Sequence, residues 1–178
     1  MSRIAVPSIE SATGATADIY AYVRKAAGSI PNLYAALGHL SPESLKAVLD
    51  AEGVLAAGTL GKKDLETIKL LVSERTGCDY CVAAHAMLGR MAGLQPDALR
   101  QIRAGERTGD AKRDALIRFV LILQTTQGTI AREAFDEIRA AGYTDAQLAE
   151  ISLAIALTIF TNTFNRINDT DVDFPPVK

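Results

Sequence analysis

Residues 66–85 read ETIKLLVSERTGCDYCVAAH and hold both cysteines of the chain, one of its two histidines and an upstream acid, Glu66. Leu65, Ile68, Leu71 and Val72 recur at the spacing of one helical face, which predicts a helix from about Gly61 to Thr76, with Glu66 at the edge of the stripe. Gly77 breaks the pattern. Val82, His85, Leu88 and Met91 resume it, so a second helix is expected from Cys78 to about Ala92, closed by Gly93. On that helix Cys78 and Cys81 share a face, and His85 lies one turn beyond Cys81. A dithiol and a base would then occupy one site.

Toward the N-terminus, Ser41-Pro42-Glu43-Ser44 starts a helix, with Ser41 as N-cap and Pro42 in the first helical position, running to about Ala57. Ile30 to His39 reads as a short helical or turn connector, and Ala15 to Ala27 as a helix ended by Gly28. Residues 1–14 read as an arm, extended from Met1 to about Ser11 because Pro7 disfavours helix there. Toward the C-terminus, helices are expected from Pro96 to about Arg103, Asp110 to about Gln124 and Ala131 to Ala140. Thr144-Asp145-Ala146-Gln147 has the form of a capping box and opens a last long helix to about Ile167. Residues 168–178 form an acidic, Pro-containing tail that reads as a strap or a partner-binding arm.

No stretch alternates apolar and polar residues over strand length, so the expected fold is all-α, in a single domain over 1–178. The stretches 64–85 and 145–166 are both long and apolar and are followed by a turn, an echo that suggests an internal repeat of helix pairs. The chain has 178 residues, 48% hydrophobic and only 6% aromatic, with no Trp, so Ala, Leu, Ile and Val must build the core. Such a core suits closely packed helices.

The formal net charge of -2, from 19 basic and 21 acidic residues with no long basic run, gives no footprint for nucleic acid or an anionic membrane. The N-terminal MSRIAVPSIESATG lacks the apolar core of a secretory signal, and the longest apolar run, about Ile151 to Phe160, is roughly half of what a bilayer crossing needs. A soluble, cytoplasmic protein is expected. In a reducing compartment, C-x-x-C reads as redox or metal chemistry rather than a structural scaffold.

Attack on a peroxide needs a thiolate, a proton for the departing alkoxide, and a second thiol to trap the sulfenic acid. Cys78, Cys81 and His85 offer all three within two helical turns, and a carboxylate from Glu66 would orient the imidazole. Helix position nominates Cys78 as the more acidic thiol, because it lies nearer the helix N-terminus; proximity to His85 nominates Cys81. Tyr80 could hydrogen-bond in the site or simply pack. A zinc site is the rival: Cys78, Cys81 and His85 could be three ligands, with His39 or a carboxylate as the fourth. A non-catalytic dithiol sensor is a further possibility.

The order Glu66, Cys78-x-x-Cys81, His85 resembles the core of the AhpD-like alkylhydroperoxidase and carboxymuconolactone decarboxylase superfamily. SERTGCDYCVAAH has the Cys-x-Tyr-Cys-x-x-x-His form of its peroxidase-related members, and the C-terminal FNRIND is similar more loosely. The resemblance implies an all-helical AhpD-like fold with an internal repeat, assembled as a trimer or hexamer. It implies a thiol-dependent alkyl hydroperoxide reductase, with Cys81 attacking the peroxide, Cys78 resolving, and Glu66 with His85 as proton relay. No cofactor is called for; the partners would be a small hydroperoxide and a dithiol reductant protein, lipoyl-domain or thioredoxin-like. Tyr80 stands where the best-studied alkylhydroperoxidases carry His between the cysteines, and Ala86 follows His85 where many relatives carry a second His, so the implied relay is shorter here. A lactone decarboxylase of the same superfamily is the alternative activity, but those members do not depend on a cysteine pair.

Overall fold

The computed structural model describes residues 2–177. All regular structure among them is helical: a 3-10 turn at Ile9–Ser11, then α1 (Gly14–Ala27), α2 (Asn32–Leu40), α3 (Pro42–Ala57), α4 (Lys62–Thr76), α5 (Asp79–Met91), α6 (Pro96–Ala104), α7 (Ala111–Thr125), α8 (Arg132–Ala140) and α9 (Asp145–Asn168). The fold is all-α, as the pattern of apolar residues and breakers predicts. Of the two readings of Ile30 to His39, helical or turn, the chain takes the helical one and forms α2, which starts behind Pro31. The arm is extended at first, but its last part closes into the 3-10 turn and α1 already begins at Gly14.

The helix ends follow local chemistry. The Ser41 hydroxyl accepts the Ser44 N–H at 3.2 Å, with Pro42 in the first turn, and fixes the start of α3. Thr144 and Gln147 form a reciprocal capping box at α9, at 3.0 and 3.2 Å. Between α4 and α5 only Gly77 intervenes before the Cys78 cap, in the left-handed conformation (φ 69°), and the Cys78 N–H returns to the Ser73 carbonyl at 3.1 Å.

Helix α4 is the axis of the molecule. Leu65 and the whole run from Thr67 to Ser73 are buried, so the helix is enclosed on all sides by α5, α6, α7 and α9. Its one buried cation, Lys69, pairs with Glu52 of α3 through both carboxylate oxygens. Helix α5 meets it with small residues: Ala83, Ala84, Ala86 and Gly89 are buried, and a Cβ on Gly89 would sit 2.8 Å from a Leu99 methyl. Leu88 and Met91, which share the helical spacing of Val82 and His85, are exposed. The close approach of α5 to its neighbours uses the face of small side chains, which turns the larger ones outward.

Helix α9 buries Ile151, Ala154, Leu157, Thr158, Asn162, Asn165 and Asn168, and it packs against α3, α4 and α5. By length and composition it could cross a bilayer, although its longest uninterrupted apolar run is short, because Ser, Thr and Asn rather than charges break the run. It is also a single helix of 24 residues, so 145–166 is not the second helix pair that the sequence echo suggests. Nothing in that stretch corresponds to Gly77, the residue that divides α4 from α5.

The chain reverses after α9 at Asp169, the one non-glycine residue with positive φ (50°) among those described. The tail then runs back past the start of α2, where Asp173 accepts the Asn32 N–H at 2.9 Å. The N-terminal arm lies beside it: the Arg3 N–H donates to the Asn168 carbonyl at 2.7 Å and the Ile4 N–H to the Asn168 side chain at 2.8 Å.

Candidate functional site

Cys78 is the N-cap residue of α5, and its sulfur accepts the Cys81 N–H at 3.3 Å. The expected helix start is therefore displaced by one residue, and Cys78 stands at the positive end of the helix dipole rather than inside it. The two cysteines are joined as a disulfide, with 5.3 Å between their Cα atoms. Both are buried, at 2% and 3% exposure, in a small cluster with Leu33 and Tyr80, over which Tyr34, Phe164 and Phe174 pack.

One turn beyond Cys81, His85 projects from α5 toward α4, and its Nδ1 lies 3.0 Å from a Glu66 carboxylate oxygen. Both side chains keep a little exposure, 14% and 13%. This pair was legible in the sequence: Glu66 at the edge of the apolar stripe of α4 is where α5 passes. A carboxylate on Nδ1 fixes the ring orientation and leaves Nε2 to exchange a proton.

Tyr80 both hydrogen-bonds and packs. Its hydroxyl accepts the Leu33 N–H at 3.2 Å, and its ring meets Phe174 edge-on at 5.2 Å between centroids. Burial pushes the phenol strongly up, and the nearby Asp173 carboxylate adds to that against the opposing Leu33 N–H, so Tyr80 stays neutral. Tyr34 is pushed up to about 12, first by burial and then by Glu52. The wall around the sulfurs is thus uncharged and mostly aromatic.

The sulfur of Cys81 has a polar contact that the motif does not reveal: Asn165 Nδ2 donates to it at 3.3 Å from α9. Phe164 and Asn165 of the FNRIND stretch, Leu33 of α2 and Phe174 of the tail complete the surroundings, and none was singled out as a site residue by sequence. The signal for Asn165 was present. Asn162, Asn165 and Asn168 recur every third residue along a helix that is apolar over most of its length, where polar side chains must find partners.

The metal alternative finds no support in this geometry. Among the described residues no three His, Cys, Asp or Glu side chains gather as ligands, and Cys78 and Cys81 bond to each other. His39 is six residues along α2 from Leu33, about 9 Å of helix, and lines a separate crevice with Ser8, Thr16 and Tyr20.

Residues 42–116 match the carboxymuconolactone decarboxylase family, a segment that begins with α3 and contains Glu66, Cys78, Cys81 and His85. No curated protein matches the chain. Among solved structures, an uncharacterised peroxidase-related protein of Ralstonia eutropha JMP134, described as an alkylhydroperoxidase AhpD core, superposes with a TM-score of 0.85 at 22% identity over 97% of this chain and 92% of its own. A peroxidase-related protein from Silicibacter sp. TM1040 gives 0.78 at 19% identity over 96% of this chain and 91% of its own. The debrominase Bmp8 gives 0.72 at 18% identity, over 89% of this chain and 86% of its own. The joined C-x-x-C pair fits a redox role, and the chain has the all-helical fold of the AhpD-like proteins, with the dithiol inside the segment that matches the carboxymuconolactone decarboxylase family.

Proposed function

We propose that the protein is a thiol-dependent hydroperoxide reductase that cycles through the Cys78–Cys81 disulfide. The observation that carries this reading is the closed disulfide at the N-cap of α5, one turn from a histidine held by a carboxylate. An external dithiol opens the disulfide. The Cys81 thiolate attacks the hydroxyl-bearing oxygen of the hydroperoxide, the S–O bond forms and the O–O bond breaks, and the alkoxide leaves as alcohol with a proton from the His85–Glu66 pair. The Cys78 thiolate then attacks the Cys81 sulfenic acid; the S–S bond forms, the S–O bond breaks, and the hydroxide departs as water. Each turn consumes one peroxide and one external dithiol.

The test is thiol titration and mass analysis before and after one equivalent of cumene hydroperoxide. The reduced wild type is expected to lose two thiols and about two mass units, one hydrogen per thiol. Cys78→Ser should form a trappable sulfenic acid, and Cys81→Ser should not react. Thiols that survive the peroxide overturn the reading.

A second reading has one observation in its favour, the shared fold with a debrominase that was also solved, as a cysteine-to-alanine variant, with 2,3,4-tribromopyrrole. Two thiols supply two electrons, enough to replace a carbon–bromine bond by carbon–hydrogen with release of bromide and closure of the disulfide. Bromide release from a polybrominated pyrrole by protein inert to peroxide would move the assignment there.

A further inference from the structure

Three asparagines lie along the buried face of α9, Asn162, Asn165 and Asn168, none more than 2% exposed. Two of them are explained by the bonds they make. Asn162 donates to the Thr76 hydroxyl at 2.8 Å and accepts from the Ser73 hydroxyl at 3.4 Å, which ties α9 to the end of α4. Asn168 donates to the Thr170 hydroxyl at 3.0 Å and accepts the Ile4 N–H at 2.8 Å, which ties the two termini together.

Asn165 differs from both. Its Nδ2 donates to the Cys81 sulfur at 3.3 Å, and its Oδ1, equally buried, has no partner among the described residues. A buried carboxamide with one end unmatched costs stability, and at a position needed only for packing an aliphatic residue would avoid that cost, as Ile151 and Leu157 do on the same face. A neutral or disulfide sulfur is a weak acceptor, whereas a thiolate is a strong one. The contact therefore has its full strength only once the disulfide is opened and Cys81 is ionised.

We propose that Asn165 is a further catalytic residue of the dithiol site, whose side-chain N–H stabilises the Cys81 thiolate. Its importance for turnover rests on the peroxidase reading; its effect on ionisation does not depend on the oxidant. The two sulfurs are then each served by one N–H, Cys78 by the backbone of Cys81 and Cys81 by Asn165. When oxygen is transferred to Cys81, the sulfenic O–H brings a donor to the side chain whose Oδ1 lacks one.

The test separates the two thiols. In Cys78→Ser only Cys81 reacts, and in Cys81→Ser only Cys78, so the pH dependence of iodoacetamide alkylation, followed by mass, reports each ionisation alone. Asn165→Ala in the Cys78→Ser background should shift the Cys81 profile up by about one pH unit, the size of one hydrogen bond to a charged group. Asn165→Asp, which keeps shape and volume, should shift it further because an ionised carboxylate sets a like charge beside the sulfur, and circular dichroism of both variants reports any folding defect. The Cys78 profile in the Cys81→Ser background should stay in place. A Cys81 profile unmoved by both substitutions, or a Cys78 profile that moves equally with Asn165→Ala, overturns the proposal. If Asn165→Ala shifts Cys81 while wild type leaves cumene hydroperoxide untouched, Asn165 keeps this role and the peroxidase reading falls.

Discussion

At the scale of single residues, Glu150 is a carboxylate held by neutral donors. Glu150 of α9 reaches the loop before α4 and accepts the Thr59 N–H at 2.9 Å, the Leu60 N–H at 2.8 Å and the Thr59 hydroxyl at 3.0 Å. Burial pushes its carboxyl up, but these three donors outweigh burial and hold it below the usual carboxylate range. A depressed folded value stabilises the folded state above the unfolded pKa of about 4.3 and ceases to do so as pH falls through the folded value. Glu150→Gln should therefore cost about 1–2 kcal/mol at pH 7, and the gap to wild type should narrow in acid. Urea unfolding at pH 7 and below pH 4 checks this. An equal gap at both values would mean that the charge of Glu150 contributes nothing.

At the scale of elements, the helix boundaries were legible wherever a cap or breaker marks them. Ser41-Pro42, Thr144 to Gln147, Gly28 and Gly77 each act in the structure as their chemistry dictates. The dithiol with its Glu66–His85 pair was legible for the same reason, since all four residues sit on two helices joined by one glycine. What was not legible came from elsewhere in the chain: α2 brings Leu33, α9 brings Asn165, and the tail brings Phe174, contacts set by packing rather than by local pattern. On α5 the helical spacing of Val82, His85, Leu88 and Met91 does not mark the buried face, because small residues such as Ala84 and Gly89 make the close approach. Gly77 is the hinge of this arrangement. A Cβ there meets nothing within 4 Å, so Gly77→Ala should cost only the left-handed backbone penalty of about 1–2 kcal/mol, lowering Tm by roughly 2–8 °C. Gly77→Asn should lose less, because Asn tolerates that conformation. A thermal melt in which Gly77→Ala matches wild type would show that the α4–α5 joint relaxes.

At the scale of the whole molecule, the tail covers the dithiol and the arm lies beside the tail. The arm is bonded to Asn168 at the end of α9, the tail is bonded to Asn32 at the start of α2, and Phe174 lies against Tyr80 in the cluster that covers the sulfurs. The tail expected to be either a strap or a partner-binding arm is, in this state, a strap. Its apolar anchors are Phe174 and Val177, both half-buried, while Asp171, Val172, Asp173, Pro175 and Pro176 are exposed. A partly buried Phe with one edge-on ring contact is worth about 1.5–2.5 kcal/mol, so the tail is far easier to release than any helix of the core. An opening of that cost leaves the sulfurs accessible for less than about a tenth of the time, which slows any small reagent in proportion. Removing residues 171–178 should then speed alkylation of the reduced thiols by iodoacetamide on the order of tenfold or more, with helical content unchanged by circular dichroism. Phe174→Ala alone should give a smaller acceleration in the same direction, because the Asp173 to Asn32 bond still holds the tail near α2. Equal alkylation rates in wild type and truncated protein would mean that access to the sulfurs runs past Leu33 and Tyr34 on α2 instead, and Leu33→Ala would then be the faster-reacting variant.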